Sequence, residues 1–333
     1  MSTTHTLGTT GPSVFPLALG CMGMGASSWY GASDEAENIA TIHEAIDRGV
    51  NLLDTGDFYA MGRNEMLVGK AIRDRRDKVL LSVKYGALRG PDGAFLGNDT
   101  RPAATKSFLA HSLSRLGVDH IDVYRPARLD PNVPIEDTVG AIADMIKAGY
   151  VRHVSLSEVG VETIRRAAKV HPIADLQIEY SLVSRSPEAA IFPALAELGV
   201  AVTAYGVLSR GLLAGSAPAA KGDTRAHFPR FAGESGEKNR ALVDTLAALA
   251  AQRNVTPAQL AIAWVRAKGA AQGVTIVPTL GARTRKQLGD ALAALEITLT
   301  PDDIAAIERA VPASAVAGTR YPEPAMIGLD SER

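Results

Sequence analysis

Eight times along this chain a short apolar run gives way to a helical pattern. The runs are Leu17 to Leu19, Val50 to Leu53, Val79 to Val83, Ile121 to Tyr124, Val151 to Leu156, Leu176 to Ile178, Val200 to Ala204 and Val274 to Val277. Helical periodicity begins near Ser33, Gly62, Pro102, Pro134, Val161, Ser186 and Asn239, and again near Thr284 after the last run. Such alternation argues for a parallel sheet flanked by helices, and eight is the strand number at which that sheet closes. The competing architecture is an open doubly wound sheet with a glycine fingerprint after its first strand. Here that stretch is Gly20-Cys21-Met22-Gly23-Met24-Gly25, with the glycines at the wrong spacing and Ser28 in the last glycine position counted from Gly23. The expectation is an α/β protein, a (β/α)8 barrel forming one domain over residues 1–333. A hairpin cap over 1–16 precedes it, with Thr6-Leu7 and Val14-Phe15 flanking Gly8 to Pro12. A helix near Pro301 to Ala310 and an aperiodic tail over 311–333 follow it; such a tail is either disordered or folded over the barrel mouth.

In a barrel, chemistry sits at the C-terminal ends of the strands. The second run ends in Asp54, Tyr59 follows on the loop, and the third run ends in Lys84. Adjacent parallel strands lie about 4.8 Å apart, so the carboxylate and the ammonium can meet. A nearby ammonium stabilises phenolate and makes a tyrosine a better acid. Tyr59 is thus a candidate general acid for an oxygen gaining negative charge, with Lys84 its activator and Asp54 holding Lys84. Taken singly, the three also read as a helix cap, a snorkelling lysine and a packed ring.

Composition narrows the partners. A net charge of -1 gives no field for drawing in nucleic acid or an anionic membrane. The hydrophobic share of 46% supports a large core, yet no apolar run reaches bilayer length. Cys21 is the single cysteine, which excludes an internal disulfide framework and fits a reducing compartment; no zinc spacing is present. The expected protein is cytoplasmic, acts on a small molecule, and binds neither nucleic acid, membrane nor metal. Its oligomeric state is not legible. Leu208 to Lys238, rich in Gly, Ala and Pro, is long enough to be a mobile binding loop.

Four stretches together resemble the aldo-keto reductase family over about Leu7 to Leu299. They are NLLDTGDFYAMGRNEMLVGKAI with its Asp54 and Tyr59, SVKYG with Lys84, SLSRLGVDHIDVY, and YGVLSRGLLAG. The resemblance implies a barrel that binds NADPH without a Rossmann domain, takes up the cofactor first, and reduces aldehydes or ketones to alcohols through Tyr59, Lys84 and Asp54. The family's fourth catalytic group is a histidine. Here Tyr124-Arg125-Pro126-Ala127-Arg128-Leu129-Asp130-Pro131 places Ala127 where it should be. Three readings follow: carbonyl reduction through Tyr59 with a water or Arg125 as orienter, reduction of an activated double bond, or nucleotide binding with little catalysis, as in a regulatory subunit.

By the same resemblance Gly20, Cys21 and Met22 approach the nicotinamide, Asp54 lies beside it, Ser157 and Gln177 hydrogen-bond its carboxamide, and Tyr205 stacks on it. Glu158 stands where the family usually has asparagine. Gly206, Val207, Leu208, Ser209, Arg210, Gly211 and Leu212 form the pyrophosphate loop. Gly281, Ala282, Arg283, Gln287 and Asp290 surround a basic helix start suited to the extra phosphate of NADPH. Expected substrate walls are Trp29, Tyr30, Phe58 and Phe95, with Arg125 and Ala127 beside the missing histidine; Arg125 and Arg128 favour a polar or anionic substituent.

Overall fold

The computed structural model describes residues 4–25, 33–216, 218 and 223–333. Trp29 and Tyr30 lie outside the described residues. A two-stranded hairpin, β1 (His5–Thr6) and β2 (Ser13–Val14), opens the chain. Then follow β3 (Ala18–Gly20), α1 (Glu35–Asp47), β4 (Leu52–Gly56), α2 (Arg63–Ile72) and β5 (Leu80–Tyr85). A second hairpin, β6 (Ala87–Arg89) and β7 (Phe95–Asn98), precedes α3 (Pro102–Leu116) and β8 (Ile121–Pro126). The chain continues through α4 (Ile135–Lys147), β9 (Val151–Ser157), α5 (Val161–Val170), β10 (Ile173–Glu179), α6 (Ile191–Leu198) and β11 (Ala201–Tyr205). It ends with α7 (Gly233–Ala251), α8 (Pro257–Ala271), β12 (Ile276–Gly281), α9 (Arg285–Ala293), α10 (Pro301–Ala310) and α11 (Glu323–Ile327). Strands β3, β4, β5, β8, β9, β10, β11 and β12 form a closed parallel barrel in that order, with β12 bonded back to β3. All eight apolar runs are barrel strands.

The strands read as continuous apolar runs because helices cover the outside and side chains fill the inside. Leu53, Leu81, Val83, Tyr124, Val154 and Leu176 pack outward into the main core beneath the helices. A separate apolar cluster of Ala18, Leu52, Ala174, Ala201 and Val277 joins Leu7 and Val14 of the hairpin. These strand positions all lie towards the N-terminal ends, so the hairpin stoppers that end of the barrel. Its backbone is pinned there, the Thr9 amide donating to Gly199 O at 2.8 Å. Two helices meet closely where α2 crosses α3: a Cβ on Gly69 would lie 2.4 Å from the Leu116 carbonyl.

Two spans depart from the sequence expectation, and the tail takes the second of its two expected courses. The helical segment expected from Asn239 is two helices, and α7 begins at Gly233, inside the span read as loop. The division is marked by Thr256, whose hydroxyl caps α8 in a capping box with Gln259 behind Pro257. The rest of Leu208 to Lys238 contains short 3-10 turns at Ser209–Ala214, Thr224–His227 and Pro229–Phe231. The tail after α10 also has form: it crosses the mouth, where Asp330 accepts from the Gly160 amide at 2.8 Å. No helix among the described residues is long and apolar enough to cross a membrane.

Candidate active site

Asp54, Lys84 and Tyr59 converge at the C-terminal mouth. Register pairs Asp54 with Ser82 and Gly56 with Lys84 across β4 and β5, so Asp54 and Lys84 point inward on neighbouring strands. Lys84 Nζ donates to Asp54 Oδ1 and lies 5.1 Å from the centre of the Tyr59 ring. The other carboxylate oxygen of Asp54 accepts from Ser82 Oγ at 2.9 Å and Gln177 Nε2 at 2.8 Å. All three site residues are nearly enclosed, with Tyr59 8% exposed and Asp54 and Lys84 each 5%.

The turn that presents Tyr59 is built from uncommon backbone. Ala60, Met61 and Gly62 all have positive φ, at 49°, 56° and 85°. For the two non-glycine residues this carries a cost, which the surrounding packing must offset. Phe58 braces Tyr59 edge-on, its ring centroid 4.8 Å from that of Tyr59.

Burial and neighbouring charge pull in opposite directions on Asp54 and Lys84. Burial by itself would raise Asp54, but the charges of Lys84 and Arg125 and hydrogen bonds from Lys84 and Gln177 hold its carboxyl below the usual range. Burial lowers Lys84, Asp54 opposes that, and Arg125 and Arg128 add to it; the net direction is down. Burial also pushes the Cys21 thiol up to about 12, so it is an inert packing group beside Asp54.

One neighbouring carboxyl behaves differently. Asp57 is 6% exposed and accepts from the Gly86 amide at 3.4 Å. Burial, then the adjacent Glu65 carboxylate, push it up to about 7. The folded state therefore holds the Asp57 proton more tightly than the unfolded chain, so this contribution is complete below the ordinary value of 3.8 and lost as pH rises through about 7. Asp57→Asn should raise the melting temperature above that pH, by on the order of 2 kcal/mol of stability, and change little in acid. A melting temperature that is equal in wild type and variant at alkaline pH would refute this.

Other expected positions fall into two groups. Gly20 and Gly281 face each other across β3 and β12, and Met22 is half-buried just beyond. Ser157 ends β9, 1% exposed, and its hydroxyl has no hydrogen-bond partner among the described residues. The same holds for Ser209 in the loop after β11 and Thr279 in β12. Leu208 is right-handed, whereas Ser209, Arg210 and Gly211 have φ of 45°, 56° and 93°. That change of hand between successive residues is the geometry of an anion-binding backbone concavity. Gly206 begins this loop at φ 65°, and Val207 and Leu212 anchor it in the core. The three orphaned hydroxyls and this loop lie at one end of the barrel, and their chemistry fits an amide and a pyrophosphate.

The second group is already engaged. Gln177 spends its amide nitrogen on Asp54, and Tyr205 shares its hydroxyl with Tyr321 of the tail at 2.9 Å. Arg210 is bonded to Glu179 at 3.1 Å and lies over the rings of Phe228 and Tyr321, each at 4.6 Å. At the start of α9 the Arg283 amide donates to Gln287 Oε1 at 2.8 Å and Ala282 is buried. The basic cluster there is partly neutralised: Arg285 pairs with Glu37 of α1 at 2.9 Å, and Lys286 with Asp290 at 2.8 Å.

Two substrate-wall expectations need correction. Arg125 is not at the mouth: its side chain is wholly buried inside the barrel on Asp175, at 2.7 Å, and cannot orient a substrate. Phe95 is 56% exposed on the β6–β7 hairpin, where Arg89 lies 5.6 Å from its ring and 5.9 Å from that of Phe58. It is a rim group, not a pocket wall. Ala127 is 2% exposed, its amide bonded to Tyr85 O and its carbonyl accepting from Arg128 Nη1 at 2.6 Å.

Sequence reading missed Ser82, Asp175 and Thr203, all inside the barrel. Each lies two residues before a named one (Lys84, Gln177, Tyr205), and strand periodicity of two would have found them. It also missed the tail. Arg320, 5% exposed, grips Glu158 with both arms, at 2.9 and 2.5 Å, and Ser331 bonds the same carboxylate at 2.6 Å. No cluster of histidine, cysteine and acidic groups able to hold a metal ion occurs among the described residues.

Comparison with known proteins agrees with the fold. The model of the Aldo/keto reductase family matches residues 16–312. A soybean (Glycine max) protein described as probable aldo-keto reductase 1 is 38% identical over 322 residues, 95% of this chain and 90% of the relative. Among solved structures, a glycerol dehydrogenase from Gluconobacter oxydans superposes with a TM-score of 0.83 at 27% identity, covering 96% of this chain and 98% of that one. The holo form of an aldo-keto reductase from Bacillus halodurans gives 0.77 at 28% identity, covering 94% and 97%.

Proposed function

The chain belongs to the aldo/keto reductase family, and on that footing we propose that it reduces an aldehyde or ketone to an alcohol with NADPH, Tyr59 supplying the proton. The observation that carries the reading is the convergence of phenol, ammonium and carboxylate at the mouth, with Lys84 bonded to Asp54 and 5.1 Å from the Tyr59 ring. Ser157, Ser209 and Thr279 offer unpartnered hydroxyls to hold the nucleotide, and the loop from Gly206 to Leu212 offers its backbone. When bound, the nicotinamide supplies hydride to the carbonyl carbon. Tyr59 gives its proton to the oxygen as charge develops there, and Lys84 stabilises the phenolate left behind. Asp54 fixes Lys84 and keeps it cationic. Preference for NADPH over NADH is expected from the basic start of α9, Arg283, Arg285 and Lys286, although Glu37 and Asp290 offset part of that charge. A cytoplasmic setting is part of the proposal, and the single cysteine supports it by suiting a reducing compartment.

Oxidation of NADPH and of NADH, measured across aldehydes, ketones and quinones, tests the proposal. Turnover of at least one carbonyl, faster with NADPH, is the expected result. Tight nucleotide binding with no turnover of any carbonyl would overturn it in favour of a regulatory subunit.

Ala127 gives a second handle. Alanine has no side-chain donor to orient a carbonyl oxygen, so Ala127→His should restore one beside Lys84 and favour proton transfer in acid. The expected change is about tenfold in kcat/KM on the acid side of the profile, or a reordering of substrates. A variant with the wild-type pH profile and the wild-type ranking would show this position to be without consequence.

A further inference from the structure

Below the trio, the barrel interior holds a second ionic layer that the mechanism so far leaves unused. Arg125 of β8 and Asp175 of β10 are both fully enclosed and joined through both guanidinium Nη nitrogens, at 2.7 and 3.4 Å. Thr203 of β11 bonds the same pair, donating to Asp175 Oδ2 at 2.5 Å and accepting from Arg125 Nη1 at 3.1 Å. The second arm, Nη2, does something different. It donates to Ser82 Oγ at 2.8 Å, and Ser82 donates onward to Asp54 Oδ2 at 2.9 Å. From Thr203 the chain of bonds returns through Gln177 Nε2, 3.5 Å away, to that same oxygen of Asp54. The layer is thus a closed ring of side chains from five strands, and Asp54 is the member that touches Lys84.

We propose that Arg125 is a positioning residue for the proton-donating assembly, anchored by Asp175 and acting on Asp54 through Ser82. This rests on the carbonyl-reductase reading above. A buried guanidinium is costly to desolvate, and a hydrophobic pair of the same size would fill the space as well. What the ionic pair adds is direction. Arg125 orients the Ser82 hydroxyl so that its proton faces Asp54, and with Gln177 this fixes one carboxylate oxygen, leaving the other for Lys84. It also places a fixed positive charge beneath Lys84 and Asp54. The charged and titratable groups around Lys84 are Asp54, Cys21, Tyr59, Arg125 and Arg128. Asp57 is coupled instead to Glu65 and Arg115. With alanine at 127, no imidazole helps to set the acid, so its alignment depends on this layer from below.

Two variants test the proposal. Ser82→Ala cuts the link while leaving the Arg125–Asp175 pair in place; Arg125→Met with Asp175→Leu replaces the pair by apolar groups of similar size. The readouts are kcat and KM against pH, nucleotide affinity by fluorescence, and the ultraviolet titration of phenolate, with Tyr59→Phe subtracted to isolate the Tyr59 signal. Ser82→Ala is expected to lower kcat about tenfold with KM and nucleotide affinity unchanged. The double variant is expected to move the Tyr59 titration upward by about one pH unit: it removes both members of the pair, and the Arg125 end is the one that acts on Asp54 and Lys84 and is tied to Asp54 through Ser82. The titration needs no turnover, so it decides this proposal even if no carbonyl is reduced. Unchanged kcat and an unchanged Tyr59 titration in a folded Ser82→Ala protein and double variant would overturn it. If the double variant does not fold, the Ser82→Ala result decides alone.

Discussion

Tyr59→Phe will lower kcat for carbonyl reduction by about 10² to 10⁴, the usual worth of a positioned general acid, while nucleotide affinity stays near wild type. The substitution is suited to the question because it removes one oxygen and keeps the ring. The ring contacts are the edge-on packing against Phe58 and the position under Lys84, neither of which needs the hydroxyl. The strained turn through Ala60, Met61 and Gly62 is also left as it is. Loss of rate with unchanged melting temperature and unchanged nucleotide binding therefore isolates the proton. Stopped-flow measurement of a single turnover separates this step from product release, and a variant that retains its rate within a few-fold would dispose of Tyr59 as the acid.

The second large effect lies in the tail. Glu158 is fully enclosed and receives Arg320, Ser331 and the Glu179 amide. Glu158→Gln keeps the shape and removes the charge. Breaking a buried pair by removing one partner costs about 3 to 5 kcal/mol. Here the lower end is expected, since Arg320 retains Glu332 at 2.8 Å and Glu179 at 3.7 Å. The loss should be local: hydrogen exchange should rise from about Gly318 to the C-terminus before the barrel is affected. Acid should reproduce it in the wild type. Burial would raise Glu158, but hydrogen bonds and charge from Arg320, together with Arg128 and Ser331, hold it down at about 2. A depressed carboxyl contributes in full above its ordinary value of 4.5 and loses that contribution as pH falls towards about 2. Tail protection that is equal in Glu158→Gln and wild type at neutral pH would remove the role assigned to this pair.

What the sequence carried, and what it did not, follows from how local each signal is. The barrel was legible because eight apolar runs and the helices between them repeat a local pattern. Asp54 and Lys84 were legible because each sits at the end of a run, where depth and direction are fixed together, and Tyr59 because it follows on the loop just after one. Arg125 was misplaced because a strand position gives a face but not a depth: the same inward direction serves the mouth and the interior. The basic start of α9 looked open because its partner, Glu37, comes from α1, 248 residues away. The tail defeated periodicity altogether, since Arg320 is held by side-chain bonds to Glu158, just after β9, and to Glu179 of β10, and belongs to no regular element itself. The boundary between α7 and α8 was written in Thr256, Pro257 and Gln259, a local signal that went unused.

The hairpin at the start of the chain has a kinetic corollary. Side chains fill the barrel and Leu7 and Val14 stopper its far end, so a nucleotide and a carbonyl are both expected to come and go by the mouth. If the one that enters first is roofed over by the second, departures run in the reverse of arrivals. A tail fastened across the mouth is then expected to slow the exchange of both.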